Sequence, residues 1–362
     1  MEHIDVTVIG GGIIGLMTAR EIIKRNPHLT VCIFEKEHFL GDHSSGRNSG
    51  VLHAGIYYQY NSFKHRLCLE GNQKWESISR ELDIPLRRCG KFVVAKNSEE
   101  DEELQKLYNS AVKNGVPFLR LATEEELDRL KESVHCYSAI YSPQTGIIDQ
   151  GEAIKAIAND FEKNGGVILR DHEVVELSVF ESDFCVEFSN SLIIKSKYLV
   201  NAAGLGGVTL RRLLGLKDLS NYFVRGSYIM SSKPNSFTSL IYPLPEKKLK
   251  GLGAHLTFDF HGKMKFGPDT EDVDQISYQI NESRVESLKS AVKTLFKEID
   301  LESLQPDYSG IRPKIFLNRE IFSDFWIKSP IPNYLELLGI ESPGFTASPG
   351  IARVACELLG LN

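Results

Sequence analysis

A strand that runs into a glycine turn, a second strand that ends on an acid, and a later block of alternating strands predict an α/β chain. The expected architecture is a Rossmann-like nucleotide-binding domain carrying an inserted α+β substrate domain built on an antiparallel sheet. The first observation is Asp5-Val6-Thr7-Val8-Ile9, followed by Gly10-Gly11-Gly12-Ile13-Ile14-Gly15 and a helical stretch over Leu16–Arg25. In a dinucleotide fold Gly10 makes the tight turn, Gly12 lets the backbone approach a pyrophosphate, and Gly15 lets helix and strand pack closely. The helix N-terminus then turns free N–H groups and the positive end of its dipole toward the phosphates. The second observation is Val31-Cys32-Ile33-Phe34, which ends in Glu35, twenty residues beyond Gly15. A carboxylate there can accept hydrogen bonds from both ribose hydroxyls. The third is residues 222–308, whose strands alternate as a sheet with one covered face does.

The totals narrow the function classes. A chain of 362 residues is long enough for two domains, and 42% apolar with 25% charged residues is ordinary globular composition. A formal net charge of −6 argues against nucleic acid as the main partner, because phosphate binding needs a basic surface. Six cysteines without CxxC or Cys/His metal spacing read as free thiols in a reducing compartment. No run reaches the length of a membrane span. The expectation is a cytoplasmic protein, with peripheral contact at the inner face of a membrane left open.

Taken in order, Gly41–Gly50 is polar yet flanked by apolar residues, a pattern that suits a buried loop whose backbone is satisfied by a ligand. Helical spacing marks Phe63–Leu82, Glu99–Asn114, Thr123–Leu130 and Gln150–Asn164. Strands are expected at Gly90–Ala95, Ala139–Tyr141, Gly146–Asp149, Val167–Arg170, Glu173–Val179, Phe184–Phe188 and Leu192–Lys195. The stretch from Tyr198 to Gly207 is a buried strand followed by small residues, where the backbone can come close to a second part of the same cofactor. That second approach points to a flavin dinucleotide rather than a nicotinamide. In the inserted block, strands are expected at Tyr222–Ser231, Ser239–Tyr242, Gly253–Phe260 and Lys263–Phe266, with a helix over Ser283–Ile299. The chain then returns through Tyr308–Lys314 and strands at Asp324–Ile327 and Tyr334–Ile340. It closes on a turn, Glu341–Gly350, that opens a last helix at Ile351–Leu359. That turn offers another helix N-terminus for an electron-rich ring edge or a developing anion.

These motifs resemble a family. Gly10–Gly15, the run Gly46–Tyr58, Asn201–Gly204, Ile241–Pro245, Gly251–Thr257, Phe266–Asp269, Gly310–Lys314 and Gly339–Gly344 resemble, in order, the FAD-dependent oxidoreductases of the D-amino-acid oxidase superfamily. Within it the resemblance is greatest to the L-2-hydroxyglutarate dehydrogenase/oxidase group. It implies an FAD domain from residues 1–89, 150–221 and 309–362, and a cap from 90–149 and 222–308. It also implies FAD contacts from Gly10, Gly12, Ile13, Ile14, Gly15, Glu35, Lys36, Ser45, Arg47, Asn48, Ser49 and Gly50. Further contacts are implied at Val174, Ala203, Gly204, Gly310, Gly344, Phe345 and Thr346. Departures are the basic Lys247-Lys248-Leu249-Lys250 turn and the irregular 317–323 connection. The end at Asn362 sets the expectation that no iron–sulfur or membrane-anchor domain follows.

Oxidising a 2-hydroxy acid needs a base for the hydroxyl proton and a cation for the carboxylate, with the Cα–H aimed at the flavin. His53 is the expected base, because the resemblance places its loop at the flavin ring and imidazole accepts protons near neutrality. Arg312 is the expected carboxylate clamp, with a planar fork suited to bidentate binding. His255 and Tyr228 are expected to reach the same site from the inserted sheet, and Lys314 and Arg225 are candidates for a second carboxylate. The partners implied are a small anionic hydroxy acid and an electron acceptor: a quinone, another carrier or oxygen. Two other readings stand beside this one, glycerol 3-phosphate oxidation and an FAD-binding protein without turnover. A nicotinamide-only dehydrogenase leaves the later glycine clusters without a job.

Overall fold

The computed structural model describes residues 2–234, 236–245 and 255–361. The expected basic turn Lys247–Lys250 and the Gly251–Ala254 part of the family resemblance lie outside the described residues. Among those described, the strands form sheets of eight, ten and three.

The eight-stranded sheet carries the nucleotide fold. Its parallel centre is Glu2–Ile9 between Ile193–Asn201 on one side and Val31–Phe34 on the other, with Val8 opposite Val200 and Ile33. Val167–Leu169 and Tyr334–Leu338 extend it in parallel. The first strand starts at Glu2 rather than Asp5, and Asp5 is held there by bonds from the Thr30 N–H and hydroxyl, both 2.8 Å. Ile193–Asn201 is one strand where the sequence suggests two pieces; buried Ser196 keeps it continuous by donating its hydroxyl to the Tyr198 carbonyl. Both faces are covered. Helices Ile13–Arg25, Phe63–Leu82, Gln150–Lys163 and Gly344–Leu359 supply one apolar core with Val6, Val8, Ile33 and Leu335.

Two of these helices depart from expectation at their starts. The first begins at Ile13, with Gly12 at the cap, so Gly15 lies inside the helix. A Cβ on Gly15 would stand 2.0 Å from the Gly10 carbonyl oxygen, which is the close packing that its position requires. Gly10 itself turns at φ +114°, where a side chain is strained. The last helix begins at Gly344, not Ile351, and runs through Pro349. Pro349 has no N–H to give the Phe345 carbonyl, and that carbonyl is taken instead by Trp75 Nε1 at 3.1 Å and Ser348 Oγ at 2.9 Å. The helix therefore survives its proline.

The ten-stranded sheet is organised on two long antiparallel strands, Leu219–Pro234 and Leu304–Leu317. The expected boundary at residue 309 falls inside the second, because Gly310, Ile311 and Arg312 continue the pairing to Gly226, Arg225 and Val224. Lys91–Ala95, Arg120–Leu121 and Ser138–Ser142 complete the far side of this sheet, and Leu240–Pro243 joins Lys91–Ala95 in parallel. Helix Glu282–Leu295 packs beneath it. That helix stops four residues before the expected Ile299, as Phe296 turns extended and bridges to Val134. A small sheet of Val51–Leu52, Leu86–Arg87 and Gly146–Ile148 ties the two parts together. It carries the polar run 41–50 directly between the two large sheets.

Candidate active site

Two cavities lie between the sheets. One, of about 400 Å³, is walled by Gly10, Gly12, Glu35, Lys36, Val174, Ala203 and Gly204 among others. The other, of about 570 Å³, is walled by residues from the 44–58 run, the long strands and the last helix. Ile14, Ser44, Ser45, Pro313 and Ile340 line both, so the two form one elongated cleft.

The smaller cavity is built mainly from backbone and small side chains. Glu35 ends its strand at the cavity wall, accepting from Gly11 N–H at 2.6 Å and Glu37 N–H at 2.9 Å, one bond per oxygen. Each carboxylate oxygen keeps acceptor capacity for a ribose hydroxyl. Ser45 Oγ accepts from the Ile13 N–H at 3.0 Å, fixing the polar run against the first helix. Two helix N-termini, at Ile13 and Gly344, open onto the cleft, and neither cap makes a side-chain bond. Such ends attract anionic or electron-rich groups.

The larger cavity is built from side chains of separate segments. His53 enters it on the loop after Val51–Leu52, its N–H donated to Thr346 Oγ1 at 3.0 Å. Its carbonyl accepts from Asn72 Nδ2 at 2.9 Å. The imidazole Nε2 and Ser342 Oγ share a hydrogen bond of 3.1 Å, while the buried Nδ1 has no partner. Burial, followed by the positive charge of Lys91, pulls the His53 pKa down to about 3, so the ring is neutral across the working range. Arg312 lines the same cavity, half-buried, from the strand Leu304–Leu317. Lys64 and Lys314 both donate to one oxygen of Glu341, at 2.9 Å each. Burial pushes that carboxyl up, but Lys64, Lys314 and Arg312 outweigh it and hold it below the usual range. Tyr228 stacks on Tyr308, ring centres 4.6 Å apart, and Tyr308 donates to the Asn48 carbonyl at 2.7 Å. His255 lies flat on Tyr242, at 3.8 Å and 12°.

The cleft fits FAD on these grounds: an acid at the nucleotide end, close-approach glycines, two open helix N-termini, and length enough for two joined cavities. A family model described as FAD-dependent oxidoreductase, DAO, matches residues 5–358. The chain belongs to this family of FAD-dependent oxidoreductases. Its cofactor is accordingly FAD, and it is an enzyme. It is 33% identical to the mitochondrial L-2-hydroxyglutarate dehydrogenase of Arabidopsis thaliana over 97% of this chain and 82% of that protein. The human mitochondrial L-2-hydroxyglutarate dehydrogenase is also 33% identical, over 73% of this chain and 60% of its own length. A glycerol 3-phosphate dehydrogenase of Caloramator mitchellensis is 29% identical over 98% of this chain and 73% of that protein. Among solved structures, the dithionite-reduced, FAD-bound L-alpha-glycerophosphate oxidase of Mycoplasma pneumoniae superposes with TM-score 0.90 at 25% identity. That match covers 99% of this chain and 95% of the other. The Rossmann-like reading with an inserted sheet therefore holds for this oxidoreductase.

The cleft gathers most of the sequence candidates. Ile13, Ile14, Ser45, Arg47, Asn48, Ser49, His53, Tyr228, His255, Gly310, Arg312, Lys314, Gly344, Phe345 and Thr346 all line the larger cavity. Three candidates stand apart. Gly15 is buried under the Gly10 carbonyl, and Gly50 turns at φ +66° against the Ile148 carbonyl. Arg225 points elsewhere: its guanidinium donates to Glu271 at 2.7 and 3.1 Å and to the Ser277 carbonyl at 3.2 Å, a buried ion pair within the inserted domain. Sequence reasoning missed Tyr57, Lys64, Glu341 and Ser342 as wall residues. Tyr57, Glu341 and Ser342 stand inside motifs that carry the family resemblance, and Lys64 opens a helix two residues after its cap; nothing local marks their convergence.

Among the described residues no helix is long and apolar enough to cross a membrane.

Proposed function

We propose that this enzyme oxidises L-2-hydroxyglutarate, or a closely related dianionic 2-hydroxy acid, to the 2-oxo acid. The observation that carries the reading is the pairing of Arg312 with His53 in one cavity. Among the described residues no carboxylate or carbonyl accepts a hydrogen bond from the Arg312 guanidinium, and a neutral imidazole lines the same space. FAD, when bound, supplies the two-electron acceptor for the hydride leaving the hydroxyl-bearing carbon. Arg312 holds the 2-carboxylate with its planar fork and so fixes which carbon faces the cofactor. His53 accepts the hydroxyl proton; an anionic substrate beside it raises its basicity from the low value set by burial. Thr346, Asn72 and Ser342 position the imidazole through its backbone and Nε2. The Lys64–Glu341–Lys314 group leaves one surplus positive charge at the wall, suited to a second carboxylate.

In this reading residues 1–89, 150–221 and 309–362 hold FAD, while 90–149 and 222–308 roof the substrate. The reduced enzyme passes its electrons to a quinone, another carrier or oxygen. Six free cysteines favour a reducing, cytoplasmic setting. Glycerol 3-phosphate is the second reading, favoured by the whole-length match to the Mycoplasma oxidase and by the suitability of Arg312 for phosphate. Anaerobic mixing separates them. L-2-hydroxyglutarate in excess should bleach the flavin band in a single reduction, one substrate oxidised per flavin, and glycerol 3-phosphate should not. Bleaching by glycerol 3-phosphate alone transfers the function to the second reading, and bleaching by neither removes both.

A further inference from the structure

Lys91 opens the strand Lys91–Ala95 and is only 1% exposed. Lysines are almost never fully buried unless paired with an acid. Here the ammonium is set between aromatic faces: Nζ is 4.7 Å from the centre of the Tyr57 ring and 4.6 Å from that of Tyr242. Ring faces offset part of the desolvation of a cation, and among the described residues no carboxylate acts on this one. Tyr57 and Tyr242 are both walls of the larger cavity, and Lys91 stands behind them. Its field also reaches His53 on the same wall. A cation placed so gains its missing counter-charge when an anion fills the cavity.

We propose that Lys91 is a charge-matching positioning residue, largely unprotonated in the cavity without an anion and taking up one proton from water when the dianionic substrate binds. This rests on the reading of the cavity as an anion site. The proton goes from solvent to Lys91 Nζ, and no electrons move. Burial alone would put the group near this switch, since it pulls the Lys91 pKa down to about 7. The surrounding groups leave it as the acceptor at pH 8. The Cys68 thiol and the Tyr57 and Tyr242 phenols are pushed up by burial and already hold their protons. His53 starts near 3, so the rise that an anion brings adds uptake mainly toward the acid end, apart from a Lys91 signal at pH 8. His255 stacks on the same Tyr242 ring that Lys91 faces, and comparison with Lys91→Met separates any uptake by it.

The test uses oxidised holoenzyme and 2-oxoglutarate, whose two carboxyls are ionised throughout the range, in weak buffer with a pH indicator. Binding is followed separately through the flavin absorbance. Roughly half to one proton per bound dianion should be taken up at pH 8, and the share that depends on Lys91 should fall toward zero at pH 5.5, where Lys91 already carries its proton. Lys91→Met should bind with little uptake at pH 8. Binding of 2-oxoglutarate without uptake at pH 8, or equal uptake in Lys91→Met, overturns the proposal. If that variant does not fold, the wild-type profile decides: uptake confined to the acid side of pH 7 belongs to histidine and overturns it too. Failure to bind 2-oxoglutarate at all strikes the proposed function and the substrate-linked half of this proposal together. Thermal unfolding then judges the other half. The folded lysine sheds its proton from about pH 7 while the unfolded one holds it to about 10.4. Wild type should therefore gain stability relative to Lys91→Met across that window, and a pH-independent difference overturns the assignment.

Discussion

The two ends of the cleft are made from different materials. The nucleotide end is backbone: glycine turns, helix N–H groups and one carboxylate already braced by two amides. The substrate end is side chains: Arg312, His53, the Lys64–Glu341–Lys314 group and a wall of tyrosines, drawn from the 44–64 run, the ten-stranded sheet and the last turn. A backbone site binds a common cofactor by shape, and its residues are fixed by where the chain must come close. A side-chain site selects a substrate by charge, and any of its members can change without moving the backbone. Variants at one end should therefore leave the other end's readout intact.

The largest effect expected on turnover is at the substrate end. His53→Ala should slow anaerobic flavin reduction by about 10²–10⁴-fold with FAD content unchanged, by rapid mixing and the flavin-to-protein absorbance ratio. Loss of FAD in that variant would break the division between the two ends. The same variant should soften acid sensitivity. Folded His53 stays neutral down to about 3, whereas the unfolded ring takes a proton below about 6.5. The histidine's contribution to stability is thus present above 6.5 and lost as pH falls toward 3, a limb that His53→Ala should lack in pH-dependent melting.

Next comes Arg312→Met. Removing a charged partner of the carboxylate should cost about 1.5–3 kcal/mol, or roughly 10–150-fold in kcat/KM, again with FAD retained. An unchanged KM for the hydroxy acid would reject Arg312 as the clamp. At the other end, Gly15→Ala forces a methyl to within 2.0 Å of the Gly10 carbonyl. Helix and strand must part, at about 1–3 kcal/mol of stability, and purified protein should carry less FAD while the retained holoenzyme keeps its KM. The smallest effect on catalysis belongs to Arg225→Met. Its guanidinium is engaged by Glu271, so KM should move by no more than about two-fold while the unfolding midpoint falls. A large KM change would return Arg225 to the substrate site.

This contrast also explains what the sequence disclosed. The nucleotide end was legible because its rules are local: Gly10, Gly12 and Gly15 within six positions, Glu35 at the end of the next strand. His53, Arg312 and His255 were reachable through the family resemblance, since each lies in a motif, and Tyr228 through its place on a strand of the inserted sheet. Arg225 was misplaced because its partner is set by pairing across strands, Arg225 opposite Glu271, forty-six residues apart. Lys91 hid inside an apolar strand, where a lysine reads as an outward residue. The last helix was begun too late because Pro349 looks like a helix start. Its carbonyl debt at Phe345 is settled by Trp75, on a helix 270 residues away.

That contact between Trp75 and Phe345 also wires an optical reporter into the fold. The chain has two tryptophans. Trp75 is fully buried and stacks on Phe345 at 5.4 Å and 18°, and Phe345 is itself a wall of the larger cavity. The indole thus sits one aromatic layer from the larger cavity. Its emission should be quenched as FAD enters and recover as FAD leaves, giving cofactor exchange a time course without any added label.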